Sequence, residues 1–299
     1  VMIGDMKKIT SVICDLDGTL LNSFKDVTKV NHNTLSALDG KGVVIGLASG
    51  RDISQIEDNL ERWGLDDKIS FIIGSNGCEY KNLDTGRYVR QGFMSTQVLS
   101  DLKDWLKASG LVWGVKEDGH MFWNHFTPFS FAGSVMDGLK ASYGGFHHLK
   151  GIEISKIVLL GSPSKVTKAI DTFHFEGLKM IPVGKYSAEI VSASVSKYEG
   201  LKRVLEDFPL CPEDILSFGD DYNDIELVSQ TFGIAMKNAI DPVILAAQDR
   251  TKYAGPQDGV AYHLNAMMLS GHYSFEKPSK SDLPNCGSQQ TEPAKKPAE

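Results

Sequence analysis

Cysteine is sparse in this 299-residue chain. The four residues Cys14, Cys78, Cys211 and Cys286 form no CxxC pair and no metal-finger spacing, so neither a dithiol redox motif nor a zinc frame is written here. Long apolar runs are missing as well. No stretch approaches the roughly 18 apolar residues of a membrane span, and Val1 to Lys8 carry no apolar signal region. The expectation is a cytoplasmic protein with no membrane partner. A basic excess is also absent: 31 Lys and Arg against 38 Asp and Glu leave a net charge of −7. That balance argues against nucleic acid as a partner, because phosphate-backbone binding wants a basic face. It leaves small phosphorylated molecules open, since one local lysine and a metal hold a phosphate in a globally acidic protein.

What is present is an ordinary soluble composition, 41% hydrophobic and 23% charged, long enough for one large domain or two of moderate size. The most informative stretch is Ile13-Cys14-Asp15-Leu16-Asp17-Gly18-Thr19-Leu20-Leu21. Ser11 to Cys14 reads as a buried strand, with Cys14 a small core residue, and Gly18 supplies a tight turn just after two acids. Spacing of two along extended backbone points Asp15 and Asp17 to one face, where they can converge on one cation or one reacting group. Paired carboxylates beside an apolar strand repel each other and lose solvation unless a positive partner offsets the cost.

Three further segments have the same character. Val43 to Ala48 reads as a second apolar strand, closed by Ser49-Gly50-Arg51; Ser49 can donate to a phosphoryl oxygen while Gly50 lets the backbone approach it. Lys197 precedes a helix marked by Leu201, Val204, Leu205 and Phe208, where it can neutralise a phosphate and a nucleophile together. The strand Ile215 to Phe218 runs into Gly219-Asp220-Asp221-Tyr222-Asn223-Asp224, whose acids complete an oxygen-rich site of the kind Mg²⁺ prefers.

These four segments, in this order, resemble the haloacid dehalogenase (HAD) superfamily of phosphohydrolases, Cof-type subfamily, over residues 8 to 270. The resemblance implies an α/β fold: a Rossmann-like parallel-sheet core, residues 1–78 and 188–272, with an inserted α/β cap, residues 79–187, that selects substrate. It implies Mg²⁺-dependent hydrolysis of a small phosphorylated metabolite, a sugar phosphate or cofactor phosphate, through an aspartyl-phosphate. In that scheme Asp15 attacks phosphorus, and Asp17 protonates the leaving oxygen and then activates water. Ser49 and Lys197 complete the catalytic set. The metal falls to Asp15, Asp17 through its backbone carbonyl, and Asp220, with Asp224 orienting a water or Lys197. Substrate binding falls to Ser49, Gly50, Arg51, Asn76, Lys197 and Asn223. Family members often carry Gly where this chain has Tyr198 and a small residue where it has Asp221. The same motifs serve a phosphomutase, and the scaffold also suits a non-catalytic phosphometabolite sensor.

The remaining expectations are local. Thr19 supports Asp17 or caps the turn, and Arg51 either faces the substrate entrance or makes a surface ion pair. Ile53, Ile56, Leu60 and Trp63 form a core helix stripe, and Ile69 to Ile73 the next strand. In the insert, Val98 to Leu106 fits a helix, and Leu111 to Val115, His120 to Trp123, Ile152 to Leu160 and Leu178 to Val183 fit strands. Trp123 and His125 line the substrate pocket, Glu189 contacts substrate, and His120, His125, His147 and His148 form no recognised metal set. Residues 273–299, rich in Pro, Ser, Lys, Gln and Glu, read as a disordered tail.

Overall fold

The computed structural model describes residues 6–117, 119–136, 138–144 and 151–281. Alternation along the apolar strands decides the architecture. Val12, Cys14, Ile45, Leu47 and Ile72 enter one apolar cluster, whereas Ile13, Val44, Ala48, Phe71 and Ile73 enter another. Strands apolar on both faces need cover on both, which is how a parallel sheet is buried. Helices Lys29–Asp39, Ile53–Trp63 and Gly259–Ser270 close one side; Lys197–Asp207 and Ile225–Gln230 close the other. As the spacing predicts, Ile53, Ile56, Leu60 and Trp63 are the buried stripe of their helix.

The larger sheet has eight strands in the order Asp249–Arg250, Phe232–Ala235, Ile215–Gly219, Ser11–Cys14, Val44–Ala48, Phe71–Gly74, Glu79–Asn82 and Tyr88–Arg90. The first six run parallel, and the last two add an antiparallel hairpin. Ser11–Cys14 lies between Ile215–Gly219 and Val44–Ala48, so the three acidic or hydroxyl-bearing strand ends emerge side by side.

A second sheet has six strands, in the order Lys140–Tyr143, His120–Trp123, Val112–Glu117, Ile157–Leu160, Ser187–Ser192 and Leu178–Val183. Its own apolar cluster, including Leu102, Leu106, Val115, Ile157 and Val166, packs one face beneath helices Lys103–Ser109 and Pro163–Thr172. The opposite face looks toward the larger sheet's strand ends.

Three sequence expectations need correction. Residues 79–90 continue the core sheet by antiparallel pairing and are not cap, and residues 188–192 belong to the second sheet because Ile190 pairs with Ile157. The expected strand Ile152 to Leu160 is two short ones, Glu153–Ile154 and Ile157–Leu160, broken at Ser155 and Lys156. The tail begins later than 273: Tyr273–Phe275 pairs in parallel with Lys7–Ile9 and tucks Phe275 into the core. His147, His148 and residues 282–299 lie outside the described residues. Among the described residues, no helix is long and apolar enough to cross a membrane.

Candidate active site

The site forms at the carboxyl edge of the parallel sheet, where open α/β sheets place their ligands. The Asp15 amide donates to the Phe218 carbonyl at 3.0 Å, tying the first acidic turn to the strand that carries Asp220. Gly18 adopts φ +87°, and a Cβ there would fall 2.2 Å from Asp220 Oδ2, so only glycine both makes this turn and leaves room for the carboxylate. Thr19 Oγ1 donates to Asp220 Oδ1 at 2.9 Å, which corrects its expected role: it positions Asp220 rather than Asp17. Asn238 Nδ2 donates to Asp220 Oδ2 at 3.1 Å and to the Gly18 carbonyl at 2.9 Å.

Lys197 opens the helix Lys197–Asp207, capped by Ser196 Oγ, which accepts from the Glu199 amide at 3.1 Å. The turn at Gly77 packs directly on this start, since a Cβ on Gly77 would sit 1.9 Å from the Ser196 carbonyl oxygen. Lys197 is 0% exposed, and its Nζ donates at 2.6 Å to both Asp15 Oδ1 and Asp224 Oδ1. Burial works against its charge, but those two carboxylates outweigh burial and hold its pKa above the ordinary lysine value. Burial, together with the charges of Asp224 and Asp220, pushes the Asp15 carboxyl well above the usual range despite Lys197. Asp220 is pushed up to about 7, first by burial and then by Asp224. Asp224 Oδ2 accepts from the amides of Asp220 and Asp221 at 3.0 and 3.1 Å, locking the loop. Ligand oxygens of Asp15, Asp220 and Asp224 lie within 4.8 Å of one another. One ammonium faces three carboxylates, and an all-oxygen donor set with surplus negative charge fits a hard divalent cation.

Asp17 departs from expectation. Its carboxylate does not join Asp15 on one partner: Arg51 grips it through Nε and Nη2 at 2.8 and 2.7 Å, and Lys25 Nζ adds a contact at 2.5 Å. Burial would raise its pKa, but the hydrogen bonds and charges of Arg51 and Lys25 prevail and hold it below the usual carboxylate value. The side chain of Asp17 thus stands apart from the acidic trio, and Arg51 is its partner rather than a remote surface ion pair. Ser49 Oγ accepts from the Arg51 amide at 3.2 Å, which leaves its proton to donate into the site.

A polar chain ties these loops to the second sheet. Asn223 Nδ2 donates to Asn76 Oδ1 at 2.8 Å, and Asn76 Nδ2 donates to Glu189 Oε2 at 2.8 Å. Glu189 pairs with Lys156, whose Nζ also donates to the Gly50 carbonyl at 3.0 Å. Asn76 is 1% exposed and links the two sheets through Asn223 and Glu189. It sits at φ +57° beside Ser75 at φ +49°, backbone strain of the kind found where function over-determines geometry. Lys116 bridges to Asp52 at 2.8 Å and to Gln55 on the helix after Arg51. Between the sheets lies a cavity of about 410 Å³, reached by Asp15, Asp17, Ser49, Arg51, Asn223 and Glu189. Trp123 lines it; His125 lies past its strand, exposed, and does not. His120 bonds Ser142 and stacks on Phe122.

The model of the haloacid dehalogenase-like hydrolases matches residues 12–264. The chain belongs to this family. The hydrolase is 25% identical over 272 residues to the protein named "Putative phosphatase YxeH" of Bacillus subtilis, with 87% of this chain and 98% of that one covered. It is likewise 25% identical to YwtE of the same organism, a 5-amino-6-(5-phospho-D-ribitylamino)uracil phosphatase, covering 88% and 99%. In fold it is similar to a haloacid dehalogenase-like hydrolase from Bacteroides thetaiotaomicron, with TM-score 0.75, 23% identity and coverage of 87% and 99%. A structure described as a subclass IIB sugar phosphatase also gives TM-score 0.75, at 17% identity over the same shares. As a Cof-type HAD hydrolase the protein is a phosphoric monoester hydrolase with an α/β core of mainly parallel sheet. Family phosphatases generally use a divalent metal, and the Asp15, Asp220 and Asp224 cluster suits one.

Sequence reasoning missed four residues that this hydrolase brings to the site: Lys25, Lys116, Lys156 and Asn238. Only Lys156 left a trace, as a charge inside an apolar run. The others depend on loop paths and strand register that no local spacing encodes.

Proposed function

We propose that the protein is a Mg²⁺-dependent phosphatase of a small phosphorylated metabolite, working through a phosphoryl group held on Asp15. The observation that carries this reading is Lys197, fully buried and held at 2.6 Å from Asp15 and Asp224 beside the loop that carries Asp220. A lysine in that position is costly to bury unless its charge is used, and here it offsets the repulsion between a carboxylate nucleophile and a phosphate dianion. Asp15 forms the new bond to phosphorus as the bond to the leaving oxygen breaks. Ser49 donates to a phosphoryl oxygen, and Asn223 reaches the same opening. Mg²⁺, held by Asp15, Asp220 and the Asp17 carbonyl with Asp224 beside them, would neutralise charge on the phosphoryl oxygens.

Asp17 has to deliver a proton to the leaving oxygen, then take one from the water that cleaves the phosphoryl group from Asp15. Bound to Arg51 and Lys25 it is held ionised. An incoming phosphate competes for both cations, and a carboxyl freed from them regains its ordinary affinity for a proton. Arg51 and Lys25 therefore act as substrate ligands that also switch Asp17 between states. The second sheet, at the opposite wall of the cavity, selects the leaving group and excludes water when the two sheets are together.

The test is phosphate release from a panel of sugar, nucleotide and cofactor phosphates, with Mg²⁺ or with EDTA, for wild type and Asp15→Asn. Metal-dependent release that vanishes in Asp15→Asn supports the reading. Release that survives EDTA overturns the metal assignment, and release that survives the substitution overturns the nucleophile.

A further inference from the structure

We infer that the group esterified to the phosphate is apolar and ring-sized rather than a polyol, and that Gly133 keeps the space for it; this rests on the phosphatase reading. The argument begins with register. On the cavity face of the second sheet, Lys116 lies opposite Met121, and the next row holds Glu189, Val158, Gly114 and Trp123. The row beyond holds Val183, Ser187 and Leu160. Lys116 bonds to Asp52 of the core, so its row is the one nearest the chemistry. Four residues of strand separate that row from Leu160, about 13 Å at about 3.3 Å per residue. Charge on the sheet is thus concentrated in the rows of Lys116 and Glu189, and Val158, Leu160 and Val183 make the wall beside and beyond them apolar, with Asp221 of the core meeting it at the Gly184 amide.

Beside that wall, two of the polar side chains are engaged with the fold itself, and the Ser187 hydroxyl is the polar group of the far row. Trp123 Nε1 donates to Ser134 Oγ at 2.9 Å, and that hydroxyl donates to the Ser130 carbonyl at 3.0 Å. The indole lies across Gly114, where a Cβ would come within 2.6 Å of Trp123 Cε3, so the ring is fixed by the sheet beneath it. Sugar hydroxyls brought here would give up water for few replacement partners, whereas an aromatic body would bury apolar surface against Val158, Leu160 and Trp123.

Gly133 adds an independent observation. It lies inside the helix Pro128–Met136, where glycine is less stable than alanine by about 0.5–1 kcal/mol. A Cβ on it would meet nothing within 4 Å, so packing within the fold does not require glycine there. It faces the cavity, and what its missing side chain leaves is room.

The experiment reads binding separately from turnover. Asp15→Asn protein with Mg²⁺ is titrated calorimetrically with 1-naphthyl phosphate and with glucose 6-phosphate. The aryl ester is expected to bind at least about tenfold more tightly. Adding Gly133→Leu, a residue that favours helix, should reduce that preference by about tenfold. Equal or tighter binding of glucose 6-phosphate overturns the inference, as does a Gly133→Leu variant that weakens both ligands alike. Absence of phosphate release by wild type, with the binding preference intact, would count against the phosphatase reading alone.

Discussion

Lys197 and Lys156 are both nearly inaccessible, at 0% and 8% exposure, and both are paired to carboxylates, yet they belong to different kinds of site. Lys197 and its partners Asp15 and Asp224 all come from the larger sheet and its covering elements, so their geometry is set by one cooperative core. Lys156 pairs with Glu189 inside the second sheet but reaches across to the Gly50 carbonyl. That contact exists only while the two sheets are together. On the proposed reading, the difference separates charge that would perform chemistry, which must be pre-positioned, from charge that would hold the two sheets together, which must be able to break.

Removing the proposed nucleophile is expected to give the largest effect. Asp15→Asn should lower phosphate release by roughly 10³-fold or more, with the fold kept, checked by steady-state kinetics and circular dichroism. Lys197→Met comes next: it strands two buried carboxylates, so activity should collapse and stability should fall by about 3–5 kcal/mol in denaturant unfolding. A Lys197→Met protein as stable as wild type would mean that Asp15 and Asp224 take up protons cheaply, and the contrast with Lys156 would lose its basis.

Much of the core side of this contrast was legible. Apolar runs ending in Asp15, Ser49 and Asp220 mark strand ends, and in a parallel sheet neighbouring strand ends share one edge, so residues far apart in sequence could be placed together. The junction was not legible. Glu79–Asn82 and Tyr88–Arg90 alternate like any strand, and only their pairing partner assigns them to the core sheet. The link from Glu189 through Asn76 to Asn223 spans three segments whose meeting depends on how the sheets sit. The ion partner of Asp17 was hidden for a related reason: spacing along a strand gives a direction, and Asp17 does reach the same cavity as Asp15, but Arg51, 34 residues later, decides which cation its carboxylate finds.

A smaller effect is expected at the junction. Lys156→Met should raise KM about tenfold while changing kcat less, because it loosens the Gly50 loop and leaves Glu189 unpaired without touching Asp15. Combining it with Glu189→Gln should cost less than the sum of the single changes, since no buried charge is then left alone. A kcat loss as large as that of Lys197→Met would place Lys156 in the chemistry and erase the distinction.

The subtlest test uses pH, and it gives opposite signs at Asp220 and Asp17. Asp220 has its folded pKa raised from 3.8 to about 7 by burial and by Asp224. Between those values the unfolded chain has released its proton while the folded chain keeps it, so stability falls as pH rises through this window and stays lowered above it. In EDTA, Asp220→Asn should therefore raise the melting temperature by a few degrees at pH 8, and the gain should fade as pH drops toward 4. Asp17 is depressed by Arg51 and Lys25, so it stabilises the fold above its unfolded pKa and loses that contribution as pH falls through its lower folded value. Asp17→Asn should cost stability at pH 8, and the cost should shrink in acid. Mg²⁺ should then stabilise wild type at pH 8 more than it stabilises Asp220→Asn, because binding to the folded state alone favours it. A pH-independent gain in Asp220→Asn would trace the tension at that position to packing against Gly18 rather than to charge.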